Sequence, residues 1–185
     1  MRVFLVGASG AVGKSLIPAL RQAGHYTVAV SRSPAKTAEL ARMGATPVTL
    51  DVLDPKATNA AVERAAPDAI IHQASALRQS TDLKKFAAMF AMTNRLRTEG
   101  LDNLLAAARA HGVRRVLAQS FTGWPNSREG GLVKTETDAL DRDPPEQFRT
   151  TLAAIRYLET KLTATPGIDG YALRYGAFYG PGSAF

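Results

Sequence analysis

Three glycines near the N-terminus have the spacing of an anion-binding turn. Gly7, Gly10 and Gly13 lie between an apolar run at 3–6 and an amphipathic pattern over 11–23. The run predicts a buried parallel strand and the pattern predicts a helix, so the glycines fall in the turn that joins them. Free N–H groups at the start of that helix would bind the pyrophosphate of a dinucleotide. The other residues of the turn expected to contact it are Ser9, Ala11 and Val12.

Ser31 and Arg32 follow the second predicted strand, where the adenosine ribose of such a dinucleotide is bound. A carboxylate at this point would accept a hydrogen bond from the ribose 2′-hydroxyl, whereas serine and arginine donate to a 2′-phosphate. The pair therefore favours NADP over NAD; the alternative is that Arg32 is an ordinary exposed residue at the start of a helix. Asp51 and Val52, after the third strand, are placed to meet the adenine, although Asp51 could equally cap the next helix.

Tyr157 and Lys161 form the second chemical pattern of the chain. They stand one turn apart on the helical run 150–164, which places both side chains on one face. A tyrosine with its ordinary pKa of about 10 is a poor general base at neutral pH, and a neighbouring ammonium favours the phenolate. The alternative is that Arg156 and Glu159 make this helix a surface element on which the pair is incidental.

These residues need a scaffold that brings strand ends together, and the rest of the chain predicts one. Apolar runs predict strands at 3–6, 27–30, 46–50, 69–72, 113–118 and 170–175, with helical patterns between them. Such alternation predicts an α/β fold with a doubly wound parallel sheet, a Rossmann fold in strand order 3-2-1-4-5-6. The longest helical stretch covers 82–111, and the segment 123–145 is rich in turn formers and reads as a long loop, a lid over the site.

Composition narrows the class of protein. The chain has 185 residues, 45% of them apolar, which predicts one compact domain. It has no cysteine, which predicts that it has no thiolate metal site and is located in the reducing cytoplasm. No apolar run approaches the roughly 18 residues of a membrane span. The net charge of +7 comes from 23 basic residues spread along the chain, so we expect no nucleic-acid partner. We expect no metal site.

Taken together, the patterns resemble the extended branch of the short-chain dehydrogenase/reductase superfamily, the NAD-dependent epimerase/dehydratase family. The GxxGxxG turn and the YxxxK pair are both features of that family. Three further segments are similar to it: IHQAS at 71–75, VLAQS at 116–120 and LRYGAFYGPG at 173–182.

The resemblance implies roles for particular residues. Tyr157 would exchange a proton with the substrate, Ser120 would hydrogen-bond the same oxygen, and Lys161 would orient the nicotinamide ribose; Thr122 is the nearest rival to Ser120. His72 is expected to be packed or on the cofactor side. The further residues that the resemblance places along the cofactor are Gln73, Ala74, Ser75, Asn94 and Tyr175.

The resemblance also implies a function. We expect an NADP-preferring oxidoreductase or epimerase, with NAD as the lesser option, that moves a hydride to or from a hydroxyl or carbonyl carbon of a small molecule or sugar nucleotide. Residues 1–185 would be the dinucleotide-binding domain, with the C-terminal substrate domain largely absent and a homodimer left open. The alternatives are a redox-silent NADP-binding regulator and a truncated domain that does not turn over.

Overall fold

A six-stranded parallel sheet forms the centre of the protein. The structure is a computed structural model and describes residues 1–76 and 86–178. The strands are β1 (Arg2–Val6), β2 (Tyr26–Ser31), β3 (Thr46–Thr49), β4 (Ala69–His72), β5 (Arg115–Phe121) and β6 (Asp169–Tyr175). Their order is β3-β2-β1-β4-β5-β6 and every pairing is parallel, which confirms the predicted fold and strand order.

Helices join the strands and cover both faces of the sheet. They are α1 (Ala11–Gln22), α2 (Thr37–Arg42), α3 (Pro55–Ala65), α4 (Phe86–Arg95), α5 (Leu101–Ala110) and α6 (Glu146–Ala164). The helix predicted at 82–111 is divided: a wider, π-type turn at Leu96–Gly100 joins α4 to α5. Such turns are frequent at functional sites. Residues 82–85 of that prediction, like 179–182 of the last family segment, lie outside the described residues.

The alternation of side chains along β1 builds a separate core on each face. Val3 and Leu5 pack with Ile17 and Leu40 beneath α1 and α2. The side chain of Phe4 points to the opposite face of the sheet, into a larger core beneath α3, α5 and α6. A strand buried on both faces reads as a continuous apolar run, which is why the sequence of β1 was easy to interpret.

The segment between β5 and α6 is a long loop, as predicted. It folds back on itself through an antiparallel bridge between Asn126 and Leu140. Leu140 is buried against Leu152 and Ile155 of α6, and Arg156 donates to the carbonyl oxygens of Leu140 and Asp141. The loop is therefore attached to α6.

Candidate functional site

A cleft opens at the carboxyl ends of β1, β2 and β4, where parallel sheets of this kind bind ligands. Its volume is about 240 Å³. Fourteen of the described residues line it: Val6, Gly7, Ser9, Gly10, Val30, Ser31, Arg32, Ser33, Leu50, Val52, Gln73, Ala74, Ser75 and Leu96. All of the predicted lid, 123–145, is described, and none of it lines this cleft.

The glycine turn forms one wall of the cleft, and its backbone leaves no room for a side chain at Gly7 or Gly13. Gly7 has a φ of +82°, and a Cβ there would lie 2.5 Å from the backbone nitrogen of Ala74. A Cβ at Gly13 would lie 2.5 Å from the Gly7 carbonyl oxygen, so α1 packs directly on the turn. Gly10 caps α1, whose first N–H groups have no partner within the helix. A bare backbone facing a helix N-terminus fits a dinucleotide pyrophosphate.

The end of β2 forms the second wall and carries donors. The Ser31 hydroxyl lies 3.1 Å from that of Ser9 and accepts a hydrogen bond from the Ser33 N–H. Arg32 is exposed at the rim, and within residues 1–76 and 86–178 it forms no hydrogen bond or ion pair. Its guanidinium is available to an anion. Lys36 is paired with Glu39.

The β3 end supplies an apolar floor. Val52 and Leu50 are buried and line the cleft. Asp51 is exposed and does not line the cleft, and its carboxylate accepts from the Leu53 N–H at 3.0 Å. The alternative that Asp51 caps the next helix is wrong, because Asp54 is the cap of α3 and accepts from the Ala57 N–H.

Gln73 follows β4, and β1 separates that strand from β2, which Arg32 follows. Its side chain is 5% exposed, and its Nε2 donates to the Tyr175 hydroxyl at 3.3 Å. The Gln73 Oε1 atom is buried and has no partner within the described residues. A buried acceptor in a ligand cleft is a candidate for binding a ligand N–H or O–H. Ala74 and Ser75 continue this wall.

His72, just before this wall, is packed rather than open to the cleft. Its Nε2 lies 3.0 Å from the Leu96 carbonyl oxygen, which can only accept, so Nε2 carries the proton. Burial lowers the pKa of His72 despite that hydrogen bond, so the ring is neutral.

Ser120 and Thr122, the two candidate hydroxyls after β5, both have internal partners. Ser120 is fully buried and donates to Glu159 Oε1 at 2.6 Å. Burial acts to raise the pKa of Glu159, but hydrogen bonds from Arg174 and Ser120 outweigh it and lower the pKa. Thr122 donates to Asn126 Oδ1 at 3.0 Å.

Tyr157 and Lys161 share a face of α6, as predicted, but that face is turned towards α5. The Tyr157 hydroxyl donates to Asp102 Oδ2 at 2.7 Å, and Lys161 Nζ lies 3.8 Å from Asp102 Oδ1. The hydrogen bond to Asp102, with burial and the carboxylate charge, raises the pKa of Tyr157 to about 12. Glu159 is two residues further on, about 200° around the helix, and reaches Ser120. The structure therefore does not bring the Tyr157 hydroxyl to Ser120.

The comparisons with known proteins agree with the fold. The family model for the NAD dependent epimerase/dehydratase family matches residues 3–185. The chain belongs to this family. It is 40% identical to a 3-diazoavenalumate denitrifying reductase from a Streptomyces species, over 100% of this chain and 59% of the relative. It is 28% identical to a 2-alkyl-3-oxoalkanoate reductase from Stenotrophomonas maltophilia, over 98% of this chain and 52% of the relative.

The chain thus spans a little over half the length of these curated relatives. Among solved structures, a UDP-glucose 4-epimerase from Thermus thermophilus in complex with NAD superposes with a TM-score of 0.76 at 24% identity. The match covers 99% of this chain and 57% of that one, and it shows the shared fold. No helix among residues 1–76 and 86–178 is both long and apolar enough to cross a membrane.

One residue predicted along the cofactor lies outside the cleft, and the structure brings forward other residues that the sequence analysis did not name. Asn94 does not line the cleft; its Nδ2 donates to Thr151 on α6 at 3.1 Å, and its Oδ1 accepts from Arg97 at 3.5 Å. The missed residues are Arg97, Thr151 and Arg174, together with the lining residues Ser33 and Leu96. Helical spacing in the sequence could have indicated that Thr151 is buried, because Thr151 begins the buried stripe of α6 that continues through Ile155, Leu158 and Leu162.

Of the other predicted cofactor residues, Ala11, Val12 and Gly13 form the first turn of α1 and do not line the cleft themselves. Tyr175 contacts the cleft through Gln73. Lys161 does not line the cleft and lies beside Asp102.

Proposed function

We propose that this chain is the nucleotide-binding part of an NADPH-dependent reductase that acts on a carboxylate-bearing small molecule. The observation that carries the cofactor assignment is the end of β2, where Ser31, Arg32 and Ser33 line the cleft beside the glycine turn. The reductase activity and the substrate class are supported by the names of the two curated relatives, both reductases of compounds named as carboxylates.

The preference for NADPH over NADH follows from the charge at the rim of the cleft. Arg32 supplies a guanidinium without an acidic partner in the described residues, and guanidinium groups bind phosphate through paired N–H donors. An acidic residue at this position would instead repel the 2′-phosphate and accept from a ribose hydroxyl.

The Gln73 end of the cleft would hold the nicotinamide. Gln73 Oε1 is a buried acceptor that would bind an N–H or O–H of the cofactor, and its Nε2 is already anchored by Tyr175. When bound, reduced nicotinamide supplies a hydride, which with a proton from water reduces an oxo group to a hydroxyl.

The catalytic roles of Tyr157, Lys161 and Ser120 stay a prediction, and their contacts do not favour it. The Tyr157 phenol is held protonated by Asp102, and the Ser120 hydroxyl is directed to Glu159. These same contacts favour a second candidate function, an NADP-binding regulator that transfers no hydride.

Oxidation of NADPH in the presence of 3-oxooctanoate separates the two functions. A reductase consumes NADPH and forms 3-hydroxyoctanoate in equal amounts, whereas a regulator binds NADPH without consuming it. UDP-glucose with NADP⁺ in place of NADPH serves as the comparison, since its conversion without net formation of NADPH would indicate an epimerase instead. We further propose that the protein acts in the cytoplasm on a small molecule and not on nucleic acid, because its basic residues are dispersed.

A further inference from the structure

Arg97 is a buried guanidinium that lacks a carboxylate partner within the described residues. It lies in the π-type turn, its exposed fraction is 6%, and its one hydrogen bond there, to Asn94 Oδ1, is 3.5 Å long. The contrast with Arg174 is direct, since Arg174 makes two hydrogen bonds of 2.8 and 2.9 Å to the carboxylate of Glu159.

An isolated charge in this position is unfavourable. Burial lowers the pKa of Arg97 to about 10, which still leaves the guanidinium protonated at neutral pH. Proteins normally pair buried charges, because the energy of removing an ion from water is recovered only through an opposite charge with hydrogen bonds. The Arg97 site is therefore incomplete without an anion.

The groups around Arg97 have more donors than acceptors. Asn94 Nδ2 already donates to the Thr151 hydroxyl, and within the described residues that hydroxyl has no acceptor for its own proton. The guanidinium has five N–H donors, of which one is used. The nearby His72 is neutral, and the charge of Arg97 contributes to its lowered pKa. A donor-rich buried site recognises a planar group with two acceptor oxygens, which is a carboxylate.

This group lies next to the cleft, behind Leu96, and Arg97 itself does not line it. Leu96 lines the cleft, and its carbonyl oxygen bonds His72 at the carboxyl end of β4. Arg97 follows Leu96 directly and is linked through Asn94 to Thr151 of α6. The phosphate-binding turn lies on the other side, between β1 and α1.

We propose that Arg97 binds the carboxylate of the substrate, with Asn94 and Thr151 positioning its guanidinium. The assignment rests on the proposed function, because it names the residue that recognises the proposed substrate class. It makes Arg97 a specificity-determining residue that selects acids over their neutral esters.

Binding of 3-oxooctanoate and of its methyl ester to the NADP⁺-saturated protein tests the proposal by calorimetry. We expect the acid to bind at least about tenfold more tightly than the ester, with the preference lost in Arg97→Met and reduced in Arg97→Lys, which keeps the charge but not the planar fork. Arg109→Met, an exposed arginine of α5, is the matched control and should keep the preference.

Two readouts separate a binding role from a structural one. NADP⁺ affinity should be the same in wild type and Arg97→Met, and the unfolding temperature of ligand-free Arg97→Met should equal or exceed that of wild type, because an unpaired buried charge has been removed. Equal binding of acid and ester by wild type, no binding of the acid, or an acid preference that survives in Arg97→Met would overturn the proposal. A lower unfolding temperature in Arg97→Met would also overturn it, by showing a structural partner. Failure of NADP⁺ to bind would instead refute the proposed function.

Discussion

The Tyr157 hydroxyl donates a 2.7 Å hydrogen bond to Asp102, and this contact turns the YxxxK pair away from the nucleotide cleft. Lys161 lies beside the same carboxylate, so the three side chains form one surface network between α5 and α6. A tyrosine in this arrangement stabilises the packing of two helices and has no contact with the cleft.

Replacement of Tyr157 by phenylalanine should therefore leave NADPH oxidation and NADPH affinity within about twofold of wild type. Loss of a general acid or base typically lowers the rate by about a hundredfold or more, so the two roles are easily distinguished by steady-state kinetics. A rate loss of that size in Tyr157→Phe, with unchanged thermal stability, would show that the phenol reaches the substrate.

The same contact predicts an unusual titration. The pKa of Tyr157 is raised to about 12, mainly by Asp102, so Asp102→Asn should bring it back towards 10.0. Because the folded pKa lies above the unfolded one, the contribution to stability is complete below pH 10 and is lost as the pH rises through about 12. Spectrophotometric titration of tyrosine, with Tyr157→Phe subtracted, measures this pKa; identical curves for wild type and Asp102→Asn would contradict the hydrogen bond.

Glu159 connects Ser120 of β5 to Arg174 of β6, so its removal should loosen that edge of the sheet. Glu159→Gln should lower the free energy of unfolding by about 2 kcal/mol, the usual value of hydrogen bonds to a charged group. The exposed Arg95–Glu99 pair provides a control, and Glu99→Gln should change stability little. Chemical denaturation of the two variants checks this expectation, and equal effects would contradict it.

The free energy of unfolding at acid pH should also depend on Glu159. The pKa of Glu159 lies below its ordinary value of 4.5, so its contribution is present above pH 4.5 and is lost as the pH falls through the folded pKa. Wild type should therefore lose stability on acidification more steeply than Glu159→Gln. Parallel profiles of unfolding free energy against pH would show that the carboxylate contributes nothing.

Gly10 tests the phosphate turn with little damage to the fold. Within the part of the chain that the structure describes, a Cβ at Gly10 would meet only the Gly7 carbonyl oxygen, at 3.3 Å, so Gly10→Ala should fold. The methyl group would hold a phosphate away from the helix N-terminus. Loss of one hydrogen bond between a backbone N–H group and the phosphate corresponds to roughly ten- to a hundredfold weaker NADPH binding. Gly131→Ala, where a Cβ meets no atom of residues 1–76 and 86–178 within 4 Å, should bind normally. Unaltered NADPH affinity in Gly10→Ala would show that the phosphates of the cofactor do not bind at this turn.

The fold could be predicted because buried parallel strands leave continuous apolar runs that alternate with helical patterns. The bounds differ where that signal fades: the strand predicted at 113–118 runs from Arg115 to Phe121, because its last buried residue, Ser120, is polar and gives no apolar signal. Much of the cleft was predicted for the same reason, since the topology alone brings the ends of β1, β2 and β4 together.

The side chains of the helices were harder to place. The rotation of α6 about its axis depends on which stripe is buried, and the stripe through Thr151 and Leu158 leaves Tyr157 outside it. Sequence spacing placed Tyr157 and Lys161 together correctly but could not say what they face. Arg97 was missed because an arginine in a helical pattern normally indicates an exposed position.

Calorimetric titration of the protein with NADPH and with NADH shows most directly whether the cleft selects NADPH through Arg32. Arg32→Asp should weaken NADPH binding by roughly ten- to a hundredfold and spare NADH, whereas Arg42→Asp, the same charge change on exposed α2, should leave both unchanged. We predict tighter binding of NADPH than of NADH by wild type. Equal affinities for the two nucleotides, or an NADPH affinity that Arg32→Asp does not alter, would contradict the account.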